Sequence, residues 1–187
     1  MLALPMPAQA QSWHWSFLRP ATGGQPAIDA RGKLRTTAAT DASGFHTITA
    51  VSGHRNGVAI TSFLPAGTAI PGNCLSASQC YEADNLLRQG DLGPGQLTSH
   101  GFGVGFADGT FANYFNATFL TPAVDMEYFS APPFNTLPPE AEDSELTGLF
   151  AATPVPGPLP MSGGLLAMGW ARRLRRRLLA GVQRPSA

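Results

Sequence analysis

The sequence predicts an all-β protein, a single antiparallel β-sandwich or open barrel, on three observations. Glycine (21) and proline (17) together supply 38 of 187 residues, a density of turn formers that disfavours long helices. Apolar residues alternate with polar ones over short runs, the period of a strand with one buried face. Turn signals recur every ten or so residues between these runs, as in sandwiches and small barrels. No helical period of useful length appears before residue 160.

The strands follow in order. SWHWSFL (12–18) sets Trp13, Trp15 and Phe17 on one face and Ser12, His14 and Ser16 on the other. After the turn RPATGGQP comes AIDARGKLRTTAAT (27–40), one or two strands, and then the turn DASG (41–44). FHTITAVSGH (45–54) is rich in β-branched residues, and RNG (55–57) carries the Asn-Gly signature of a tight hairpin with VAITSFL (58–64) as its return strand. PAGTAIPGNCLSASQC is a loop, and YEADNLLRQ is ambiguous between a strand and a helical turn. In LTSHGFGVGFADG (97–109), Phe102, Val104 and Phe106 alternate with glycines, which predicts a strand where backbones approach closely. Asp108-Gly109 is a second hairpin signal leading into TFANYFNATFL (110–120), and VDMEYFSA (124–131) is the last strand expected.

Beyond residue 131 the chain turns proline-rich and acidic, APPFNTLPPEAEDSELTGLFAATPVPGP, the composition of an extended linker. The expected organisation is therefore a remnant of a signal peptide (1–10), a β domain (11–131), a flexible linker (132–154), a tail (155–179) and a disordered C-terminus (180–187). The signal-peptide reading rests on MLALPMPAQA, apolar and ending in the small-residue pattern Ala8-Gln9-Ala10, truncated by a start codon placed too late.

Charge and cysteine set the compartment and exclude one class of partner. Charged residues are 13% of the chain, against about 25% in an average soluble domain. The net charge of zero conceals a division: residues 1–171 hold six basic against twelve acidic side chains, and the remainder holds six basic ones. An acidic body repels nucleic acid, so the terminal arginines form a tail and not the edge of a nucleic-acid interface. Cys74 and Cys80 lie C-x5-C in a loop with no matching histidines, so a disulfide is expected rather than a metal site. Closing so small a ring stabilises by only about 2 kcal/mol, enough to pin one loop.

The tail has three parts. Val155-Pro156-Gly157-Pro158, followed by Leu159-Pro160, cannot be helical. MSGGLLAMGWA (161–171), with Met161, Leu165, Leu166, Met168 and Trp170, is apolar and uncharged; its eleven residues are fewer than the roughly 20 of a full helical span. Arg172, Arg173, Arg175, Arg176 and Arg177 then form a basic stop, to be held on the cytoplasmic side. A basic amphipathic helix lying on an anionic membrane is the other physical reading. This order of parts resembles the PEP-CTERM sorting signal of exported bacterial proteins, with Gly157 where the family usually has Glu and ten residues trailing the arginines. The resemblance implies recognition by an exosortase-type enzyme of the inner membrane, transient membrane association, and release or relocation to a cell surface rich in extracellular polysaccharide. Residues 48–61, Asp84-Asn85-Leu86-Leu87 and Phe106-Ala107-Asp108-Gly109-Thr110 are also similar to a β-rich domain common among such proteins, which brings no activity with it.

Residues with catalytic potential are sparse. His14, His46, His54 and His100 lack metal-ligand spacing and are expected in surface hydrogen bonds; no hydrolase or metalloprotease motif occurs, and no cofactor is implied. Glu82 with Asp84, and Asp125 with Glu127, are the only acid–base candidates, and both pairs are expected to face solvent on strands. Calcium at Asp84, Asp91 or Asp108 is the weaker alternative. Trp13, Trp15, Tyr81, Tyr114 and Tyr128 either build the core or offer sugars a stacking surface, and alternation favours core. The expectation is an exported non-enzymatic domain, structural or adhesive in a polysaccharide layer. A secreted polysaccharide hydrolase and an unprocessed membrane-anchored β protein are the alternatives.

Overall fold

Alternation of side chains is realised in eleven strands: β1 (Gln11–Arg19), β2 (Ile28–Thr40), β3 (Phe45–Arg55), β4 (Val58–Phe63), β5 (Ala69–Ser76), β6 (Gln79–Glu82), β7 (Leu86–Arg88), β8 (Phe102–Phe106), β9 (Phe111–Ala117), β10 (Val124–Ser130) and β11 (Ser144–Pro154). The structure is a computed structural model and describes residues 10–76, 79–90, 95–134 and 144–156. Its described part is all-β. Eight strands form an antiparallel ring in the order β1–β2–β3–β4–β8–β9–β10–β11, and β11 returns to β1. Of the architectures open to the sequence the chain takes the barrel, and the sheet is closed. The remaining segment, β5 to β7, is an excursion between β4 and β8 in which β5 pairs with β6 and β7 adds to the start of β3.

Inward faces carry the expected residues. Trp13, Trp15 and Phe17 of β1 are buried with Phe102 and Val104 of β8, Tyr114 of β9 and Phe150 of β11. Trp15 meets Phe102 edge-on at 5.5 Å and Tyr114 at 5.3 Å between centroids, geometries that aromatic quadrupoles favour. The indole of Trp15 also reaches across β2 at Gly32 to donate to the Ser52 carbonyl at 3.3 Å. Gly32 and Gly53 face each other there, and a Cβ on Gly32 would lie 2.6 Å from the Gly53 Cα, so neither position admits a side chain. Both expected hairpins form; Asn56 and Gly57 take positive φ (46° and 87°), as a two-residue turn matched to strand twist requires.

Two expectations fail: the loop expected over residues 65–80 contains strand β5 and the start of β6, which pair as a hairpin, and the expected linker is part of the barrel. The flexible linker drawn over 132–154 is, from Ser144 onward, strand β11, which lies between β1 and β10. Leu146, Gly148, Phe150 and Ala152 alternate inward, while Glu145, Thr147 and Leu149 are exposed. Acidic and proline residues on either side hid this short alternation, and three of its four inward positions are small or only partly buried. Gly148 is small because the Phe17 ring occupies its side-chain position. The β domain therefore extends past 131 to Val155, whose N–H donates to the Ser12 carbonyl at 2.8 Å. The ambiguous stretch 81–89 resolves into the end of β6 and β7, separated by Asn85 with φ 57°.

The disulfide Cys74–Cys80 is present and staples β5 to β6. This hairpin lies over the outer face of β8–β10: Tyr128 Oη donates to the Gly72 carbonyl at 2.7 Å and Ser130 Oγ to the Pro71 carbonyl at 2.5 Å. Gly103 is the close-approach glycine expected from sequence, since a Cβ there would sit 2.9 Å from Leu64.

A chain ending at residue 131 should fail to fold, whereas one ending at 156 should give a cooperative β-type circular dichroism transition. In the longer chain Phe150→Ala should lower the unfolding free energy by about 3 kcal/mol or more in urea titrations. A folded 131-residue chain would contradict the closed barrel.

Candidate functional site

The four candidate carboxylates separate into two environments. Asp125 and Glu127 are 2% and 0% exposed, so the expectation that they face solvent is wrong. Both point into the barrel on β10, the face that alternation alone could not distinguish because polar residues were assigned outward. Glu127 accepts two hydrogen bonds from Arg55, from Nε at 2.8 Å and from the terminal guanidinium nitrogen at 2.7 Å. The guanidinium also lies 4.0 Å from the centre of the Phe129 ring. Burial works to lower the Arg55 pKa, but the hydrogen bonds and charge of Glu127 outweigh it and raise the value. Burial, helped by the Glu127 charge, pushes the Tyr114 phenol well above its ordinary range.

Asp125 has a different task. β11 runs past the end of β10, and its amides there take side-chain partners: Asp125 Oδ2 accepts from Phe150 N–H at 3.1 Å. Gln96 does the same with both of its amide atoms, donating to the Ala152 carbonyl at 2.9 Å and accepting from its N–H at 2.8 Å. Asn116, itself buried, donates from Nδ2 to Asp125 Oδ1 at 2.9 Å. Burial raises the Asp125 pKa by more than these two donors lower it.

Glu82 is exposed, but Asp84 accepts from Thr98 Oγ1 at 2.7 Å, which ties the segment before β8 to the segment before β7. Asp108 accepts from the N–H and hydroxyl of Thr110 in the β8–β9 turn. Asp91 lies outside the described residues. Among the described residues no three His, Cys, Asp or Glu side chains form a metal-binding group. Trp13, Trp15 and Tyr114 are core, Tyr128 is buried beneath β5, and Tyr81 is 44% exposed. His46 is buried, with Nδ1 3.0 Å from the Thr37 carbonyl, while His14, His54 and His100 are exposed.

Two outer features were not foreseen. The first is an open concavity of about 530 Å³ on the face of β11, β1, β2 and β3, lined by His14, Arg31, Lys33 and His54 around Gly32 and Gly53. Register places His14 opposite Lys33, and Arg31 opposite both Ser16 and His54, so four basic side chains meet on adjacent strands. Arg31 is engaged with Asp29 through Nε at 2.6 Å, and this pair lowers the Asp29 pKa. Lys33 makes no ion pair among the described residues. The alternation Arg31-Lys33-Arg35 on the polar face of one strand is a signal visible in sequence; its meeting with His14 and His54 is not. The second feature is a cleft of about 40 Å³ between β9 and the disulfide hairpin, lined among others by Tyr81, Asn113 and Phe119.

Of the sorting motif, Val155 and Pro156 are described. Gly157 and Pro158, the apolar segment, the arginines and residues 1–9 lie outside the described residues. No family model, curated protein or solved structure matches the chain.

Asp125 generates a signed prediction. A carboxyl whose folded pKa exceeds its unfolded value of about 3.9 destabilises the fold increasingly as pH rises through that value toward the folded one, and not below it. Asp125→Asn, which can still accept from Phe150 and donate to a turned Asn116 amide, should therefore gain stability relative to wild type as pH rises above about 3.9. Asp125→Ala should instead lose about 1–3 kcal/mol, because the Phe150 N–H is left unpaired. Urea midpoints across pH check both.

Proposed function

We propose that this chain is an exported, non-enzymatic barrel that works as a structural or adhesive element of an extracellular polysaccharide layer. An exosortase-type inner-membrane enzyme, acting on the tail from Val155 to Arg177, would deliver it there. The observation that carries the binding role is the basic concavity: exposed basic side chains on three adjacent strands, β1, β2 and β3, suit a polymer bearing carboxylates. Such contacts steer and hold an extended anionic chain at moderate affinity, and salt weakens them. Support for a non-catalytic reading comes from the carboxylates themselves. Glu127 is held by Arg55, Asp125 serves the β11 backbone, and Asp84 is bonded to Thr98. The disulfide fits an oxidising destination.

The sorting role rests on the resemblance of residues 155–179 and predicts a defined phenotype. Replacing Arg172, Arg173, Arg175, Arg176 and Arg177 by glutamine should impair retention and processing in the native host, read by fractionation and by mass spectrometry of the C-terminus. Unchanged processing would remove the sorting role, and an intact C-terminus in both proteins would favour the unprocessed membrane-anchored form.

The adhesive role is tested by binding to polygalacturonate. Wild type should bind it and release it as salt rises from about 0.05 to about 0.5 M. Lys33→Glu with Arg35→Glu should weaken binding at least about tenfold without changing the urea midpoint, since both side chains are exposed. Unaltered binding would overturn the role of this face. Cleavage of the polymer, abolished by Glu82→Gln, would favour the hydrolase.

A further inference from the structure

Histidines stand on both outer strands of the basic surface. His14 on β1 and His54 on β3 are exposed, and β2 runs between them with Arg31 and Lys33 facing outward. Register sets His14 opposite Lys33 and His54 opposite Arg31, so each imidazole has a cation beside it on the neighbouring strand. Two strand spacings separate the histidines, about 9–10 Å across the sheet, too far for one small anion to meet both. An extended polymer crossing the three strands meets both of them and the two cations between.

The other groups facing these histidines are neutral or already engaged. Beside His14, β11 offers Thr153 and Ala151, and β1 itself offers Ser12 and Ser16. Beside His54, β4 offers Ala59, and the turn beyond it holds Asp108, which is bonded to Thr110. Asp29 is within electrostatic reach of His54 but is bonded to Arg31. The hydrogen bonds and charge of Arg31, with a smaller contribution from His54, hold the Asp29 carboxyl below its usual range, so it stays ionised above about pH 5. With Asp29 offsetting Arg31, the lining carries one net positive charge, that of Lys33, while both imidazoles are neutral, and three when both are protonated. Imidazole is the side chain that makes this change between about pH 5 and pH 8. A polymer carboxylate seated beside it favours the charged form, so binding takes up protons.

We infer that this face is a pH-dependent clasp, in which His14 and His54 add their charge to Lys33 and Arg31 in acid surroundings and hold a carboxylate polymer more tightly there than in alkaline ones. The inference rests on the proposed binding of an anionic polymer and adds what governs its strength. The polymer does not account for the change, because carboxylates keep their charge down to about pH 5. The remaining histidines, His46 and His100, do not line the concavity.

The test measures binding of the full chain to polygalacturonate at about pH 5.5 and about pH 7.5 at one salt concentration, with urea midpoints recorded at both. Wild type should bind at least about tenfold more tightly at the lower pH. Sulfated dextran, whose charge is fixed across this range, should show the same gain. The terminal arginines keep their charge at both pH values and so cancel from the ratio. His14→Gln with His54→Gln, both at exposed positions, should reduce the gain to within about twofold, while His100→Gln keeps it in full. Titration calorimetry near about pH 6.5, in two buffers of different ionisation enthalpy, should record proton uptake when wild type binds and none for the double variant. Equal wild-type affinity at the two pH values, a gain with polygalacturonate alone, a gain that survives in the double variant, or binding without proton uptake would overturn the clasp and leave the adhesive reading standing. Absence of binding at both pH values would overturn the two together.

Discussion

Six register pairs join β1 to β11, from Trp13 opposite Pro154 to Leu18 opposite Leu149, and they bring the start of the described chain to its end. Without them the sheet has two long open edges, and strand edges pair with whatever is available. With them every barrel strand has two neighbours, and the inward aromatics of β1 meet Phe150. Trp15 stacks near it at 6.4 Å, and Phe102 approaches it at 6.0 Å. This closure spans more than 130 residues of chain, so its entropy cost is met by aromatic burial and not by local preference. Asp125 and Gln96 extend it beyond the reach of β10 by giving β11 side-chain partners where no strand continues.

A closed, filled barrel directs function outward. Its interior holds an ion pair, Arg55 with Glu127, whose two hydrogen bonds and stacking on Phe129 compensate the cost of removing both charges from water. The outer surface is divided. Over β8–β10 it is covered by the stapled hairpin, so these strands are buried on both faces, as β9 and β10 are along nearly their whole length. Over β11, β1, β2 and β3 it is open and basic. The same excursion that interrupts the barrel order between β4 and β8 thus creates one recessed polar cleft and leaves one broad charged face.

What the sequence made legible was local. Trp13-x-Trp15-x-Phe17, Asn56-Gly57, Asp108-Gly109 and the glycines of GFGVGF each encode a geometry within a few residues, and each appears in the structure as its pattern implies. The close C-x5-C spacing belongs to the same class. What remained hidden depends on residues far apart in sequence. β11 has an alternation too short and too small to stand out among prolines and acids, and its burial is decided by Phe17 packing on Gly148. Asp125 and Glu127 look like solvent-facing residues until Arg55, 72 positions away from Glu127, is placed beside one of them. The basic concavity and the cleft beside the disulfide hairpin are likewise meetings of strands, with only the Arg31-Lys33-Arg35 alternation as a trace in the sequence.

Amide hydrogen exchange in β11 tests the closed barrel most directly. The N–H groups of Phe150 and Ala152 are bonded to Asp125 and Gln96 inside the fold, so the account predicts that they exchange only through global opening, as slowly as the central amides of β9. Exchange of these two amides at the rate of an unstructured linker, while β9 stays protected, would contradict it.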